Sequence, residues 1–203
     1  MIVTLTGPSC AGKTTLESML RSKGFINVVS TTTRARRSME TEGLSYFFVS
    51  REEFMKEKAA GKFAESAEFN GNLYAVSKVE LDNALATGSP VVIIVEPNGL
   101  TQIQNHAGQH GLPIVSYYVG NPLEVILKRF MARFTEDLGD CNPAYAQRLT
   151  DQYASRLKVM IEDEHEWRNL PGLYDGYIVK FDETNASGVV RAIISETTEE
   201  VAV

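Results

Sequence analysis

The chain has 203 residues, of which 43% are hydrophobic and 23% are charged, and its formal net charge at pH 7 is −6. These proportions are ordinary for a globular protein that buries a core, and the length suits one domain with an inserted lobe. The acidic balance argues against a broad surface for nucleic acids, because such a surface is basic. A small anionic ligand is compatible with it, since that ligand needs only a local basic pocket.

The cysteines and the N-terminus indicate where the protein works. Cys10 and Cys141 stand far apart and outside any metal-ligand spacing, so we expect a reducing compartment rather than a disulfide framework. The N-terminus lacks the basic lead-in of a signal peptide, and no apolar run approaches the roughly 18 residues of a membrane span. The sequence therefore predicts a cytoplasmic protein that binds neither membranes nor nucleic acids.

Short apolar runs alternate along the chain with segments of helical period. This alternation is typical of an α/β fold, in which helices cover both faces of a central parallel sheet. Residues 135–143 are polar and rich in turn formers, so we expect a loop there. In chain order, the other predicted elements are a strand at 2–6, a helix at 14–23, strands at 26–30 and 45–50, a helix at 51–60, a strand at 62–69, a helix at 77–87, strands at 90–95 and 114–119, helices at 123–134 and 144–167, a strand at 177–181 and a helix at 189–194.

A patch of short strands interrupts the alternation over residues 32–76. Within it, the run 62–69 leads into Asn70 and Gly71, a pair that strongly favours a tight hairpin turn. Paired short strands do not belong to the parallel sheet of an α/β core. We therefore predict that 32–76 forms an inserted lobe.

Residues 7–14, GPSCAGKT, match the phosphate-binding pattern G-x-x-x-x-G-K-[ST] between a predicted strand and a predicted helix. The glycines let backbone N–H groups point at phosphate oxygens, and the helix adds the positive end of its dipole. Lys13 can then reach the β- and γ-phosphates of a nucleotide, and the Thr14 hydroxyl can bind Mg²⁺. The residues of this predicted P-loop are Gly7, Pro8, Ser9, Cys10, Ala11, Gly12, Lys13, Thr14 and Thr15.

A second group of anion-binding residues falls in or beside the inserted lobe. Arg34 and Arg37 lie three residues apart, and a guanidinium binds phosphate through two parallel hydrogen bonds. Tyr46 and Tyr74 could add two phenol donors to the same phosphate. The polar residues left at nearby strand ends are Ser30, Glu65 and Glu96. A carboxylate accepts two parallel N–H bonds, and the edge of guanine offers such a pair.

Five segments, in this order, resemble the guanylate kinase family: GPSCAGKTTL, STTTRARR, ETEGLSYFFVSREEF, GKFAESAEFNGNLY and KRFMAR. The order and spacing match through residues 1–100, and more loosely over 120–182. The resemblance implies a P-loop kinase, monomeric or dimeric, that uses ATP and Mg²⁺ to phosphorylate GMP or dGMP by direct transfer. It also implies a single domain with a mobile lid, divided into a core of 1–31, 77–128 and 149–203, a nucleotide-monophosphate-binding lobe at 32–76 and a helical lid at 129–148.

The resemblance also assigns roles to single residues. Those expected to face the guanine base are Ser30, Glu65 and Glu96. Those expected to hold the acceptor phosphate are Arg34, Arg37, Tyr46 and Tyr74. Those expected to stabilise the phosphoryl group during its transfer are Lys13, Arg37, Arg129, Arg133 and Arg148. Thr14 is the expected metal ligand.

The sequence departs from the family pattern at the end of the central strand. The family usually carries aspartates where this chain has Ile94 and Glu96. Ile94 offers no oxygen to a metal or its waters, so Mg²⁺ would depend more on Thr14 and on ATP itself.

Two alternatives to a guanine nucleotide kinase stay open. One is a kinase of the same fold that acts on another (deoxy)nucleoside monophosphate, and a change such as Glu96 would mark it. The other is a non-catalytic guanylate-kinase-like binding module, which the retained Lys13 and Thr14 disfavour.

Overall fold

The structure is a computed structural model that describes residues 1–36, 40–69, 71–139 and 143–199. The strands are β1 Ile2–Thr6, β2 Ile26–Asn27, β3 Thr31–Thr32, β4 Phe47–Phe48, β5 Phe63–Phe69, β6 Asn72–Ser77, β7 Val91–Ile94, β8 Ile114–Gly120 and β9 Gly176–Val179. The helices are α1 Lys13–Arg21, α2 Arg51–Ala59, α3 Lys78–Ala86, α4 Pro97–His110, α5 Leu123–Leu138, α6 Pro143–Trp167 and α7 Ala186–Glu199.

Five strands form a parallel sheet in the order β2-β7-β1-β8-β9. Strand β1 lies in the middle and is fully buried, with Ile2 beside Val91 on one side and Ile114 on the other. The chain leaves β1 towards one edge of the sheet and later crosses to the other side as β8. In such sheets the ligand crevice opens at the carboxyl ends of the strands where this reversal occurs, which here is the end of β1.

Four further strands form a mixed sheet in the order β4-β3-β6-β5. Strands β3 and β4 run parallel, whereas β6 pairs antiparallel with both β3 and β5. Helix α2 covers this sheet by burying Phe54 against Leu73 and Ala75. The predicted fold class is confirmed: a parallel sheet flanked by helices and a small mixed α/β lobe. The hairpin turn predicted at Asn70 and Gly71 includes Asn70, which lies outside the described residues.

Hydrophobic clusters lie on both faces of the parallel sheet. One joins Leu16 and Leu20 of α1 to Val190 and Ile193 of α7, and the other joins α3 and α4 to the opposite face. A third cluster joins α5 to α6 through Ile126, Phe130 and Tyr153. The mixed sheet contacts the C-terminal end of α6 through an aromatic pair. The ring centres of Phe69 and Trp167 lie 6.2 Å apart.

Three predictions about secondary structure were wrong. The loop predicted at 135–143 begins too early, because α5 continues to Leu138, where Phe134 and Leu138 pack on the cluster between α5 and α6. Asp137 also accepts a hydrogen bond of 2.5 Å from the hydroxyl of Tyr153. The strands predicted at 26–30 and 45–50 each shrink to two residues at the edge of a sheet.

Helix α4 was not predicted, although its ends carry ordinary signals. Glu96 caps its N-terminus, Pro97 occupies its first turn, and Gly111 ends it in a left-handed conformation with φ of 63°. Within the described ranges, no helix is long and apolar enough to cross a membrane.

Candidate active site

The P-loop follows β1 and leads into α1, as the sequence pattern predicts. Gly7 has φ of 154°, and a Cβ there would lie 2.0 Å from the carbonyl oxygen of Val119, so the loop passes directly against β8. Gly12 has φ of 104° and caps α1, and among the described residues no side-chain cap hydrogen bond is made at this helix end. The first N–H groups of α1 are the donors that a helix N-terminus offers to a phosphate.

Lys13 lies folded back on the P-loop. Its Nζ donates hydrogen bonds of 2.6 and 2.8 Å to the carbonyl oxygens of Gly7 and Pro8. Burial lowers the pKa of Lys13 to about 8; Cys10 and Asp163 oppose this shift, and Arg133 adds to it. The neighbouring Thr14 is exposed. The Lys13 ammonium and the Thr14 hydroxyl thus lie at the N-terminal end of α1, where a bound triphosphate could contact both.

Arg129 and Asn121 donate hydrogen bonds to backbone carbonyl oxygens of the P-loop. The Arg129 guanidinium donates to the carbonyl oxygens of Cys10, at 3.3 Å, and Phe181, at 3.0 Å. The buried Asn121 amide donates to the carbonyl oxygens of Ala11, at 2.8 Å, and Phe181, at 3.1 Å. Arg129 is therefore placed against the loop backbone. Sequence reasoning missed Asn121, whose only signal is a polar side chain directly after the apolar strand β8.

The mixed sheet brings together three of the four residues predicted to bind the acceptor phosphate. Thr32 pairs with Tyr74 across β3 and β6, and the rings of Tyr74 and Tyr46 lie 6.1 Å apart, edge to face. The guanidinium carbon of Arg34 lies 5.3 Å from the centre of the Tyr46 ring. Its terminal nitrogens donate to Glu40 at 3.0 and 2.6 Å. The fourth predicted residue, Arg37, lies outside the described residues.

Two carboxylates approach each other where β5 meets α4. Glu65 is 5% exposed, and a Cβ on Gly99 would lie 2.8 Å from its Oε2, so the carboxylate rests on the first turn of α4. Glu96 caps the same turn, accepting from the N–H groups of Gly99 at 2.8 Å and Asn98 at 3.1 Å. Burial and the nearby charge of Glu96 raise the pKa of Glu65 to about 8, against a hydrogen bond from the backbone of Val76.

The other residue predicted to face the base is half-buried. Ser30 precedes β3, and its carbonyl oxygen accepts a hydrogen bond of 3.0 Å from the N–H of Phe47. Gln102 of α4, which sequence reasoning missed, spans to Ser66 of β5. Its amide accepts from the Ser66 N–H and donates to the Ser66 carbonyl, both at 3.1 Å. This pair fixes the base-side strand to the core.

The remaining predicted lid arginines, Arg133 of α5 and Arg148 of α6, are exposed. Arg133 still acts electrostatically on Lys13, because it lowers the pKa of that lysine. Arg133 and Arg148 thus lie on successive helices, α5 and α6.

The described residues fit Mg²⁺ only as a partner of the nucleotide. Among them, no group of three or more His, Cys, Asp or Glu side chains could hold a metal ion. The exposed Thr14 hydroxyl at the start of α1 can provide one oxygen, and Ile94 at the end of β7 provides none. Mg²⁺ commonly keeps several waters and binds through substrate phosphates, so one protein ligand is sufficient.

The chain is similar to known proteins over most of its length. A family model described as "Guanylate kinase" matches residues 1–162. The curated guanylate kinase of Symbiobacterium thermophilum is 31% identical over 96% of this chain and 84% of its own length. That of Sus scrofa is 34% identical over 96% of this chain and 91% of its own length. The solved guanylate kinase of Anaplasma phagocytophilum, at 25% identity, has a TM-score of 0.68 and covers 97% of this chain and 85% of that chain.

Proposed function

The chain belongs to the guanylate kinase family, and we propose that the residues described above transfer the γ-phosphoryl group of ATP to GMP or dGMP. Its enzyme class is that of a P-loop nucleoside monophosphate kinase, and its substrates are nucleotides. The use of ATP and Mg²⁺ is general in this family. Which residues of this chain carry the reaction is our proposal.

The assignment of the acceptor-phosphate site depends on the contacts of Arg34. Its two terminal nitrogens bind a carboxylate side by side, with the phenol rings of Tyr46 and Tyr74 close by. This is the fork geometry in which arginine also binds phosphate. We assign the acceptor phosphate of GMP to this place, together with Arg37.

The base lies between β5 and α4 in this proposal. An ionised Glu65 accepts hydrogen bonds from N1–H and the exocyclic amine of guanine, and adenine offers no such pair of donors. Ser30 adds a hydroxyl, and Glu96 approaches from the first turn of α4. Glu65 is buried, so a base without these two donors would leave its carboxylate without hydrogen bonds. This cost favours guanine over adenine.

ATP binds along the P-loop, residues 7–15. Lys13 turns from the carbonyl oxygens of Gly7 and Pro8 to the β- and γ-phosphates, while the N–H groups at the start of α1 hold the phosphate oxygens. When bound, Mg²⁺ neutralises charge on the phosphates, with Thr14 as its protein ligand. Arg129 and Asn121 keep the loop in place.

Transfer is direct. An oxygen of the GMP phosphate attacks the γ-phosphorus, the bond to the β-phosphate bridging oxygen breaks, and that oxygen leaves on ADP. The protein contributes positioning and positive charge, since the transition state spreads negative charge over the moving group. We assign Lys13, Arg37, Arg129, Arg133 and Arg148 to this charge.

The two sheets belong to different functional parts of the domain in this proposal. We propose a core at 1–31, 77–128 and 149–203, a nucleotide-monophosphate-binding lobe at 32–76 and a lid at 129–148. Closure of the lobe and lid over the core would exclude water during transfer.

A substrate panel tests the function. Purified protein with ATP and Mg²⁺ is given each common ribo- and deoxynucleoside monophosphate, and ADP release is followed with a coupled assay. We expect turnover with GMP and dGMP, and the Glu65→Gln variant should lose most of it. Turnover of another base without guanine would replace the guanine assignment, and ATP binding without any turnover would favour a binding module.

A further inference from the structure

Gln102 of α4 binds the outer edge of strand β5, which is the last strand of the mixed sheet. The amide oxygen of Gln102 accepts from the N–H of Ser66, and the amide nitrogen donates to the Ser66 carbonyl oxygen, both at 3.1 Å. The same nitrogen donates to the carbonyl oxygen of Asn98, one turn earlier in α4, at 3.3 Å. One side chain therefore links the backbone of β5 to the backbone of a core helix.

Glu65, the residue before Ser66, makes a second contact between β5 and α4. A Cβ on Gly99 would lie 2.8 Å from the Oε2 of Glu65, which is closer than a Cβ atom can approach an oxygen. Gly99 lies inside α4 and its φ is not positive, so the glycine serves this close approach rather than a turn. Gly99 and Gln102 are three residues apart and share one face of the helix. The carboxylate and the amide that binds its strand are thus placed by the same helical face.

Helix α4 is itself fixed on the parallel sheet. Leu100, Ile103 and Ala107 are fully buried and belong to the hydrophobic cluster on one face of that sheet. Close packing of this kind leaves a helix little freedom to shift. Through Gln102, the core therefore sets the position of the strand that carries Glu65.

The mixed sheet by itself positions Glu65 less firmly. The pairing of β5 with β6 is irregular between Phe63 and Glu65, directly before the carboxylate. Such irregularities disrupt the ladder locally and bend the strand. The backbone of Val76 donates a hydrogen bond to Glu65, but Val76 belongs to β6 of the same sheet. Gln102 acts on β5 from the opposite edge and from a different part of the fold.

We propose that Gln102 is the positioning residue that lets Glu65 distinguish guanine from hypoxanthine. This inference rests on the proposed function. Guanine offers its N1–H and its exocyclic amine to the carboxylate, whereas hypoxanthine lacks the amine and offers only N1–H. Two parallel hydrogen bonds require both carboxylate oxygens to be in place, and a single bond tolerates a tilt of the carboxylate. Without Gln102, a tilted Glu65 would bind GMP less well and change its binding of IMP little.

The test compares GMP with IMP, which share their sugar and phosphate, so that contacts to the acceptor phosphate cancel in the ratio. Steady-state kinetics of the full chain with ATP and Mg²⁺ are measured at pH 8.5, above the pKa of about 8 of Glu65. Gln102→Met keeps the length of the side chain without its hydrogen bonds. In this variant we expect the preference in kcat/KM for GMP over IMP to fall by about tenfold. The fall should come from a higher KM for GMP, with kcat nearly unchanged.

Gln102→Asn is the second variant, because its amide is one methylene too short to span both backbone groups of Ser66. It should shift the ratio in the same direction. Melting temperatures show that each variant is folded at the assay temperature.

Gln104→Met is the matched control on the same helix. The amide nitrogen of Gln104 donates to the carbonyl oxygen of Leu173 at 3.1 Å and to the hydroxyl of Ser116 at 3.3 Å, away from the proposed base site. Its loss should lower the melting temperature and leave the ratio of GMP to IMP unchanged. A structural role alone would give the same result for both glutamines.

An unchanged ratio in the Gln102 variants, or an equal fall in Gln104→Met, would overturn the inference. An unmodified protein that uses GMP and IMP equally would also overturn it, although phosphorylation of GMP would survive. Failure of the unmodified protein to phosphorylate GMP would overturn the proposed function as well.

Discussion

The guanidinium of Arg34 donates one hydrogen bond from each terminal nitrogen to the carboxylate of Glu40, at 3.0 and 2.6 Å. Both side chains are largely buried, at 16% exposure each. The lobe therefore already holds an anion in the fork that we assign to the acceptor phosphate.

Arg34→Lys should raise the KM for GMP by about tenfold or more, because lysine keeps the charge but cannot form two parallel hydrogen bonds. The KM for ATP should change little, since the P-loop belongs to the other sheet. Steady-state kinetics with each substrate varied in turn measures both values. Arg51→Lys is the control, because Arg51 is exposed and 3.7 Å from Glu68. An unchanged KM for GMP would remove Arg34 from the acceptor site.

Lys13→Ala should lower kcat by about 10²–10³-fold or more, because it deletes a preorganised charge that meets the transferring group. Its melting temperature should not fall greatly, since the lysine is partly exposed and binds only the two carbonyl oxygens of its own loop. Lys23→Ala, in the exposed turn that follows α1, should keep full activity. Normal turnover in Lys13→Ala would refute the role of the P-loop.

The KM for GMP should fall as the pH rises from about 6.5 to 8.5. The pKa of Glu65 is raised to about 8 by burial and by Glu96. Below that pH the carboxyl is protonated and cannot accept two N–H bonds from guanine; above it the carboxylate can. Initial rates across this range measure the effect. Glu68→Gln, an exposed change on the same strand, should keep the pH dependence, and a flat profile in the unmodified protein would contradict the assignment of Glu65.

Asn121→Ala should destabilise the protein by about 1–3 kcal/mol, because it leaves the carbonyl oxygens of Ala11 and Phe181 short of a buried donor. The KM for ATP should rise with it, as the P-loop loses its support. Denaturant unfolding and ATP titration measure the two effects. Asn105→Ala, on the exposed face of α4, should change neither. A loss of stability without any effect on ATP would limit Asn121 to a structural role.

The sequence alone predicts the P-loop well, because its donors, its lysine and its helix lie within nine consecutive residues. Arg34, Tyr46 and Tyr74 were also predictable as a group, and the strand register that sets Thr32 beside Tyr74 explains why they meet. These features depend on local chain geometry or on motif order.

The contacts that sequence reasoning missed join residues far apart in the chain. Asn121 reaches Ala11 across 110 positions, and Gln102 reaches Ser66 across 36. Such contacts depend on how the helices pack on the sheets. The composition and hydrophobic periodicity of the sequence do not specify that packing.

The contact between Phe69 and Trp167 gives the enzyme an optical reporter of its own. Trp167 is the single tryptophan of the chain, and its ring lies 6.2 Å from that of Phe69 at the end of a strand of the mixed sheet. We expect a movement of that sheet relative to the core to change the polarity around the indole, and therefore its fluorescence. The closure that we propose can be tested in the unlabelled protein, on the stopped-flow timescale, by adding GMP and ATP separately and then together.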